Sequence, residues 1–201
     1  MSVPGFLFLS SLRCVLTRSF ISSLFILTVL ALVASAIGAG TAGKPSSGQG
    51  TSNVNQAFLD SLARSGPDVK DKMVLNDSAL KIELPANLYQ VARCGGTEKP
   101  FENAFWNNHA SGLYVCAVCG NHLFHSSRKY DSGTGWPSFW SSLGSDKVTL
   151  PTDTAYGMVR TEVKCARCGS HLGHLFADGP APTGQRYCMN SAALHFKPIS
   201  K

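Results

Sequence analysis

Apolar and polar positions follow three different patterns along the chain. Residues 24–34, LFILTVLALVA, form an unbroken apolar run that ends in Ala34-Ser35-Ala36. Arg13, Arg18 and several serines stand ahead of it. Basic start, apolar middle and small-residue end are the parts of a secretory signal, with cleavage after Ala36. Two other readings stay open: the uncharged span 19–43 is long enough to be kept as a membrane anchor, and the acid-free, Arg- and Ser-containing start also suits an organelle transit peptide. A core helix fits poorly, because no polar face accompanies the apolar one. From Gly38 to about Gly66 the periodicity gives way to Gly, Ser, Thr, Pro and Gln, the composition of a flexible linker. These patterns divide the chain into a leader over 1–36, a linker over 37–75 and a folded domain over 76–201.

Within that domain, residues 76–90 carry a weak helical pattern. Pro85 suits the first turn of a short helix over 86–92, which Gly95-Gly96 would stop, with Leu84, Leu88 and Val91 on its apolar face. The remainder shows period-two alternation in short pieces, at 113–116, 122–125, 147–150, 156–163 and 192–196, broken by Gly, Pro, Asn and Asp. The predicted fold class is therefore mainly β, a compact antiparallel domain with a few short helices. No βαβ alternation is visible.

Composition narrows this further. At 201 residues and 44% hydrophobic content the chain can bury one ordinary core. The net charge is +6, of which Arg13, Arg18 and Lys44 supply half within a first 59 residues that hold no acid. The rest carries 15 Lys and Arg against 12 Asp and Glu, about +3, too little for a nucleic-acid footprint.

The chemistry lies in the cysteines. Cys116-Ala117-Val118-Cys119-Gly120 and Cys165-Ala166-Arg167-Cys168-Gly169 are near copies, each with two sulfurs at i and i+3 and a Gly where a tight turn needs positive φ. Four thiolates from two such knuckles complete a closed tetrahedral zinc site, one structural Zn2+ per chain, clamping two distant hairpins. Redox dithiols, disulfides, or a site built from Cys165, Cys168, His171 and His174 are the alternatives. With the knuckles assigned and Cys14 in the leader, Cys94 and Cys188 remain. Arg186 and Asn190 flank Cys188 at i−2 and i+2, on its side of a strand, and a cation there favours thiolate. His171 and His174 offer imidazoles for general acid or base work, with Asp178 able to orient one. The Gly-rich run from Tyr130 to Trp140 carries Trp136 and Phe139 as the wall of an apolar pocket.

KYDSGTGWPSFW, CGSHLGHLFADGP and PTGQRYCMNSAALHF, with the two knuckles in order, resemble the B-type methionine sulfoxide reductases, which reduce methionine-R-sulfoxide in proteins. The resemblance runs from about Leu84 to Phe196. It implies two antiparallel sheets, a structural zinc on Cys116, Cys119, Cys165 and Cys168, and Cys188 as nucleophile. It also implies Trp136 against the substrate methyl group and a sulfoxide site lined by His171, His174, Asp178, Arg186 and Asn190. Protein repair after oxidative stress, oxidised proteins as substrate and a thioredoxin- or glutaredoxin-type reductant follow from it. Where many family members have a resolving cysteine in the DSG-x-GW loop, this chain has Thr134, which leaves Cys94 or an outside thiol to reduce the spent Cys188. A zinc-stabilised peptide-binding module and a thiol hydrolase using Cys188 and His174 are the competing functions. The chain is expected to be a monomer of the secretory pathway or extracellular space, with mitochondrion, plastid or membrane attachment as alternatives set by the leader.

Overall fold

A computed structural model of the chain describes residues 56–199. The leader over 1–36, the anchor alternative over 19–43 and the first part of the expected linker lie outside the described residues. Among the described residues no helix is long and apolar enough to cross a membrane.

The last part of the expected linker is not a linker. Helix α1, Gln56–Ser65, lies there. Leu59, Leu62 and Ala63 recur at helical spacing between Asp60, Ser61 and Arg64, which gives the helix one apolar stripe. That stripe packs in a cluster with Leu113, Val115 and Leu143, where Leu59 keeps only 4% of its surface. At its C-terminal end the Leu62 carbonyl accepts from the Ser65 hydroxyl at 3.0 Å and from Nδ1 of the buried His122 at 2.9 Å. Helix α2, Asp77–Glu83, starts where the Asn76 side chain accepts from the Ser78 and Ala79 amides. Helix α3, Ala86–Cys94, follows Pro85, buries Leu88, Val91 and Ala92, and ends at Gly95 in the left-handed conformation. Leu84, expected on its apolar face, instead stands at the end of α2 and is only half-buried.

Two antiparallel sheets follow. The smaller takes β1 (Gly112–Cys116), β2 (His122–His125) and β10 (Leu194–Pro198) in the order β10-β1-β2. The larger takes β3 (Lys129–Tyr130), β4 (Ser138–Phe139), β5 (Val148–Thr149), β6 (Thr152–Asp153), β7 (Arg160–Cys165), β8 (His171–Phe176) and β9 (Arg186–Met189), in the order β3-β4-β9-β8-β7-β5 with β6 also on β7. Every residue of β1 is buried, because α1 covers Leu113 and Val115 on one side while Tyr114 and Cys116 enter the main core on the other. In that core Phe124 and Phe139 stack with ring centres 4.5 Å apart, and Tyr114 meets Phe139 edge-on at 5.0 Å.

Several strand limits differ from the sequence pattern. The strand expected over 156–163 begins only at Arg160, because Ala155–Gly157 is a 3-10 turn in which Tyr156 sits at φ 57. The first residues of the 192–196 segment belong to another such turn, Ser191–Ala193. Strand β8 carries no simple alternation, since its first four residues are all buried. There Gly173 permits a close approach: a Cβ would collide with the Cys188 carbonyl oxygen and lie 2.9 Å from Met189 Cα. Two backbones can thus meet beside Cys188.

Candidate active site

Cys188 sits in β9, with Ser138 of β4 opposite on one edge and His174 of β8 opposite on the other. Cross-strand partners share a sheet face, so the thiol lies between a hydroxyl and an imidazole. Burial pushes the Cys188 thiol up; the Arg186 charge and hydrogen bonds from Thr134, Arg186 and Ser138 work the other way without cancelling it. The expected depression of this thiol by Arg186 is thus present as one influence and outweighed. The hydroxyls form their own chain, with Ser132 2.8 Å from Thr134 and 2.7 Å from Ser138.

Asp178 does not orient a histidine. It makes a two-pronged ion pair with Arg186, at 2.8 Å from both Nε and an Nη, and that guanidinium holds its carboxyl below the usual carboxylate range. Arg186 also lies 4.3 Å over the Phe176 ring. The histidines find their carboxylates elsewhere. His171 Nδ1 meets Glu162 Oε1 of β7 at 2.7 Å, and His174 Nε2 meets Asp153 Oδ2 of β6 at 2.8 Å. The two rings stand edge-on, 5.3 Å apart. Burial holds His171 below its ordinary value against the pull of Glu162, and its Nε2 is buried with no partner. Backbone and side-chain hydrogen bonds from Ala155, His174 and Arg160 keep the Asp153 carboxyl at about 2.

Trp136 precedes Ser138 by two residues and is half-buried, its Nε1 donating to the Glu98 carbonyl at 3.1 Å. Phe139, expected beside it in the pocket wall, is fully buried against Phe124 and Tyr114 and lines no pocket: its β4 neighbour Ser138 takes the face of Cys188, so Phe139 takes the core. Asn190 spends both ends of its amide on backbone, accepting from the Glu98 N–H at 3.1 Å and donating to the Leu172 carbonyl at 3.2 Å. The Glu98 carboxylate accepts from the Ser191 and Ala192 amides, and burial raises its pKa against their pull. One residue therefore ties the Trp136 ring to the turn after Cys188. Cys94, the last residue of α3, lines a cleft of about 140 Å³ together with His171, His174, Asp153 and Glu162.

The knuckles close as expected. Gly120 and Gly169 have φ of 72 and 69, and their amides return to the Cys116 and Cys165 carbonyls at 2.9 and 2.8 Å. The sulfurs of Cys116, Cys119, Cys165 and Cys168 lie within 4.8 Å of one another, with contacts of 3.7 and 3.5 Å across the knuckles. Tetrahedral sulfurs on bonds of about 2.3 Å stand roughly 3.8 Å apart, so the donor set fits a metal ion of that class. Asn121 Nδ2 adds a donor 3.5 Å from Cys165 Sγ.

Residues 84–198 match the family described as the SelR domain. The peptide methionine sulfoxide reductase MsrB of Thiobacillus denitrificans is 55% identical over 122 residues, 61% of this chain and 92% of the relative. That of Synechococcus sp. is 47% identical over 129 residues, 64% and 95%, and that of Methanosarcina barkeri 58% over 109, 54% and 77%. The chain belongs to the MsrB family. The SelR match begins at Leu84, so α1 and α2 lie ahead of it. Within this MsrB-family domain the sequence pattern pointed to Cys188, the histidines and the knuckles, and missed Glu98, Ser132, Ser138, Asp153 and Glu162. Glu162 had a signal, since Arg160, Glu162 and Lys164 alternate with Thr161, Val163 and Cys165 along β7. Asp153 had none, since β6 is two residues long and offers no alternation to read.

Proposed function

We propose that the chain is a peptide-methionine (R)-S-oxide reductase, returning methionine-R-sulfoxide in oxidised proteins to methionine and so repairing them. What supports this most is the pairing of Cys188 with His174 on one face of β8 and β9, in a chain of the MsrB family. A sulfoxide oxygen leaves poorly until it is protonated, so a thiolate attacking sulfur needs an acid beside it, and His174 is that acid. The sulfoxide sulfur gains two electrons and becomes a thioether; Cys188 loses two, takes the oxygen and becomes a sulfenic acid. Trp136 supplies the apolar wall for the methyl group, and Arg186 supports the thiolate.

Thr134 meets Cys188 with a hydroxyl, which has no redox chemistry. The sulfenic acid is therefore returned to thiol by two thiols of an outside reductant of the thioredoxin or glutaredoxin class, giving one disulfide and one water. Cys94, the internal candidate in the sequence, is itself held in a disulfide rather than carrying a free thiol; a Cys94–Cys188 linked peptide after a single turnover, seen by mass spectrometry, would replace this route with an internal exchange. We assign the four-sulfur cluster to one structural zinc, since a closed thiolate shell leaves no position for substrate. We also propose export through the secretory pathway on residues 1–36; protein sequencing of the mature chain from its native source, with a start near Ile37, checks it.

The deciding assay incubates the zinc-loaded protein with each sulfoxide diastereomer of methionine and dithiothreitol. The R form should be reduced, the S form left, and Cys188→Ser inactive. A zinc-loaded protein that reduces neither form would remove the proposal.

A further inference from the structure

The two histidines beside Cys188 are not equivalent. Each pairs with a carboxylate, but the carboxylates come from different strands and bind different ring nitrogens. His171 gives Nδ1 to Glu162 and buries an unpartnered Nε2. His174 gives Nε2 to Asp153, and its Nδ1 makes no protein hydrogen bond among the described residues. Only a donor can face a carboxylate acceptor, so each imidazole in its neutral form carries its proton on the paired nitrogen. His171 thus presents an acceptor in a dry place. His174 holds a proton against Asp153 and keeps Nδ1 for a second one.

The surrounding charges sharpen the difference. Asp153 is fixed by Arg160 at 2.7 Å and by the Ala155 amide at 2.9 Å, which holds it ionised and aimed. Glu162 is shared between His171 and Lys164, the latter at 3.2 Å. The other titratable groups facing His174 are Cys188 across the β8–β9 ladder, Glu162 across the β7–β8 ladder, His171 in edge contact, and Tyr156 lining the cleft, where Cys94 is held in a disulfide and does not titrate. Among the described residues Arg160 is the one Lys or Arg in an ion pair with Asp153, which it faces directly across the β6–β7 ladder.

We infer that Asp153 is a positioning residue for the reaction: it fixes the tautomer of His174 and stabilises its protonated form, so that Nδ1 delivers the proton to the sulfoxide oxygen. The inference rests on the reductase reading. In the step, the Nδ1–H bond breaks as an O–H bond forms, the Cys188 sulfur supplies the electron pair taken up by the sulfoxide sulfur, and the thiol proton makes good the proton His174 gave. No net proton is consumed. Asp153 gains and loses no bond in the step; its charge is what the imidazolium needs, and the β6–β7 hairpin brings it there.

The test uses the full zinc-loaded protein with methionine-R-sulfoxide and dithiothreitol. Loss of the carboxylate in Asp153→Asn should lower kcat on the order of tenfold at neutral pH with KM little changed. Asp153→Glu, which keeps the charge, should restore most of kcat. A wild-type kcat in Asp153→Asn, or an Asp153→Glu no better than Asp153→Asn, overturns the inference. Nitrogen NMR of the histidine rings in the wild-type protein judges it without any variant: a neutral His174 protonated on Nε2 supports it, and one protonated on Nδ1 overturns it. A wild-type protein inactive on both diastereomers would instead remove the reductase reading while the tautomer measurement still reports on the Asp153 contact.

Discussion

Cys188 is held by opposing influences, and their balance sets when it reacts. Burial disfavours the thiolate, while Arg186 and the Thr134 and Ser138 hydroxyls favour it, and burial is the larger. Alkylation of Cys188 by iodoacetamide in the substrate-free protein should therefore rise with pH through a midpoint above that of an ordinary cysteine, about 8.5. Arg186→Ala removes the favourable charge and leaves Asp178 uncompensated, both of which raise the midpoint further. At neutral pH alkylation should slow roughly tenfold for each unit of that rise; a variant alkylated as fast as wild type would contradict it. At this scale the sequence was legible where chemistry is local. Arg186 and Asn190 flank Cys188 within two residues and could be read directly. Asp178 misled because a carboxylate four residues beyond His174 looks like its partner, whereas β8 runs straight and delivers Asp178 to Arg186 on the returning strand.

At the scale of elements, α1 is the main departure from the sequence pattern. Its surroundings are rich in Gly, Ser and Asn, and a ten-residue helix is marginal by itself, so only the sheet face it covers makes it stable. That face is already visible in the uniform burial of β1, which a one-sided strand would not show. Leu59→Ala should cost about 2–4 kcal/mol in urea unfolding, because a buried leucine is truncated where α1 meets the sheet. Sulfoxide reduction well below the melting temperature should be unchanged, since α1 contributes no side chain to the site. Helix α3 was readable at nearly its full length for the opposite reason: Pro85 and Gly95 mark both of its ends by backbone conformation alone. Phe139 was misplaced because a two-residue strand offers no alternation to show which side chain faces in.

For the whole molecule, the four-cysteine cluster joins the two sheets. Cys116 ends β1 in the smaller sheet and Cys165 ends β7 in the larger, so the knuckles bind elements that share no ladder. Zinc binding by thiolates is worth about 10–16 kcal/mol in small domains, more than the usual total stability of about 5–15 kcal/mol. Chelation under denaturing-free conditions, or Cys116→Ser, should then unfold the domain with loss of its circular dichroism and its activity; a metal-free protein with the same melting point would show that the sheets hold without the clamp. The knuckles were legible from spacing alone, and the closeness of sequence-distant hairpins followed from them. The carboxylates were not, because Asp153 and Glu162 reach the histidines only through a three-strand register that no local pattern encodes. That register has a further consequence. Strand β9 is hydrogen-bonded on both edges, to β4 and to β8, and Gly173 lets the second seam close tightly. Fraying at β3 or β5 leaves both of those ladders intact, so backbone amide exchange should be slowest around the reactive thiol and fastest at the rims. An enzyme built this way keeps its nucleophile still and leaves the rest of the surface to accommodate the variety of damaged chains that reach it.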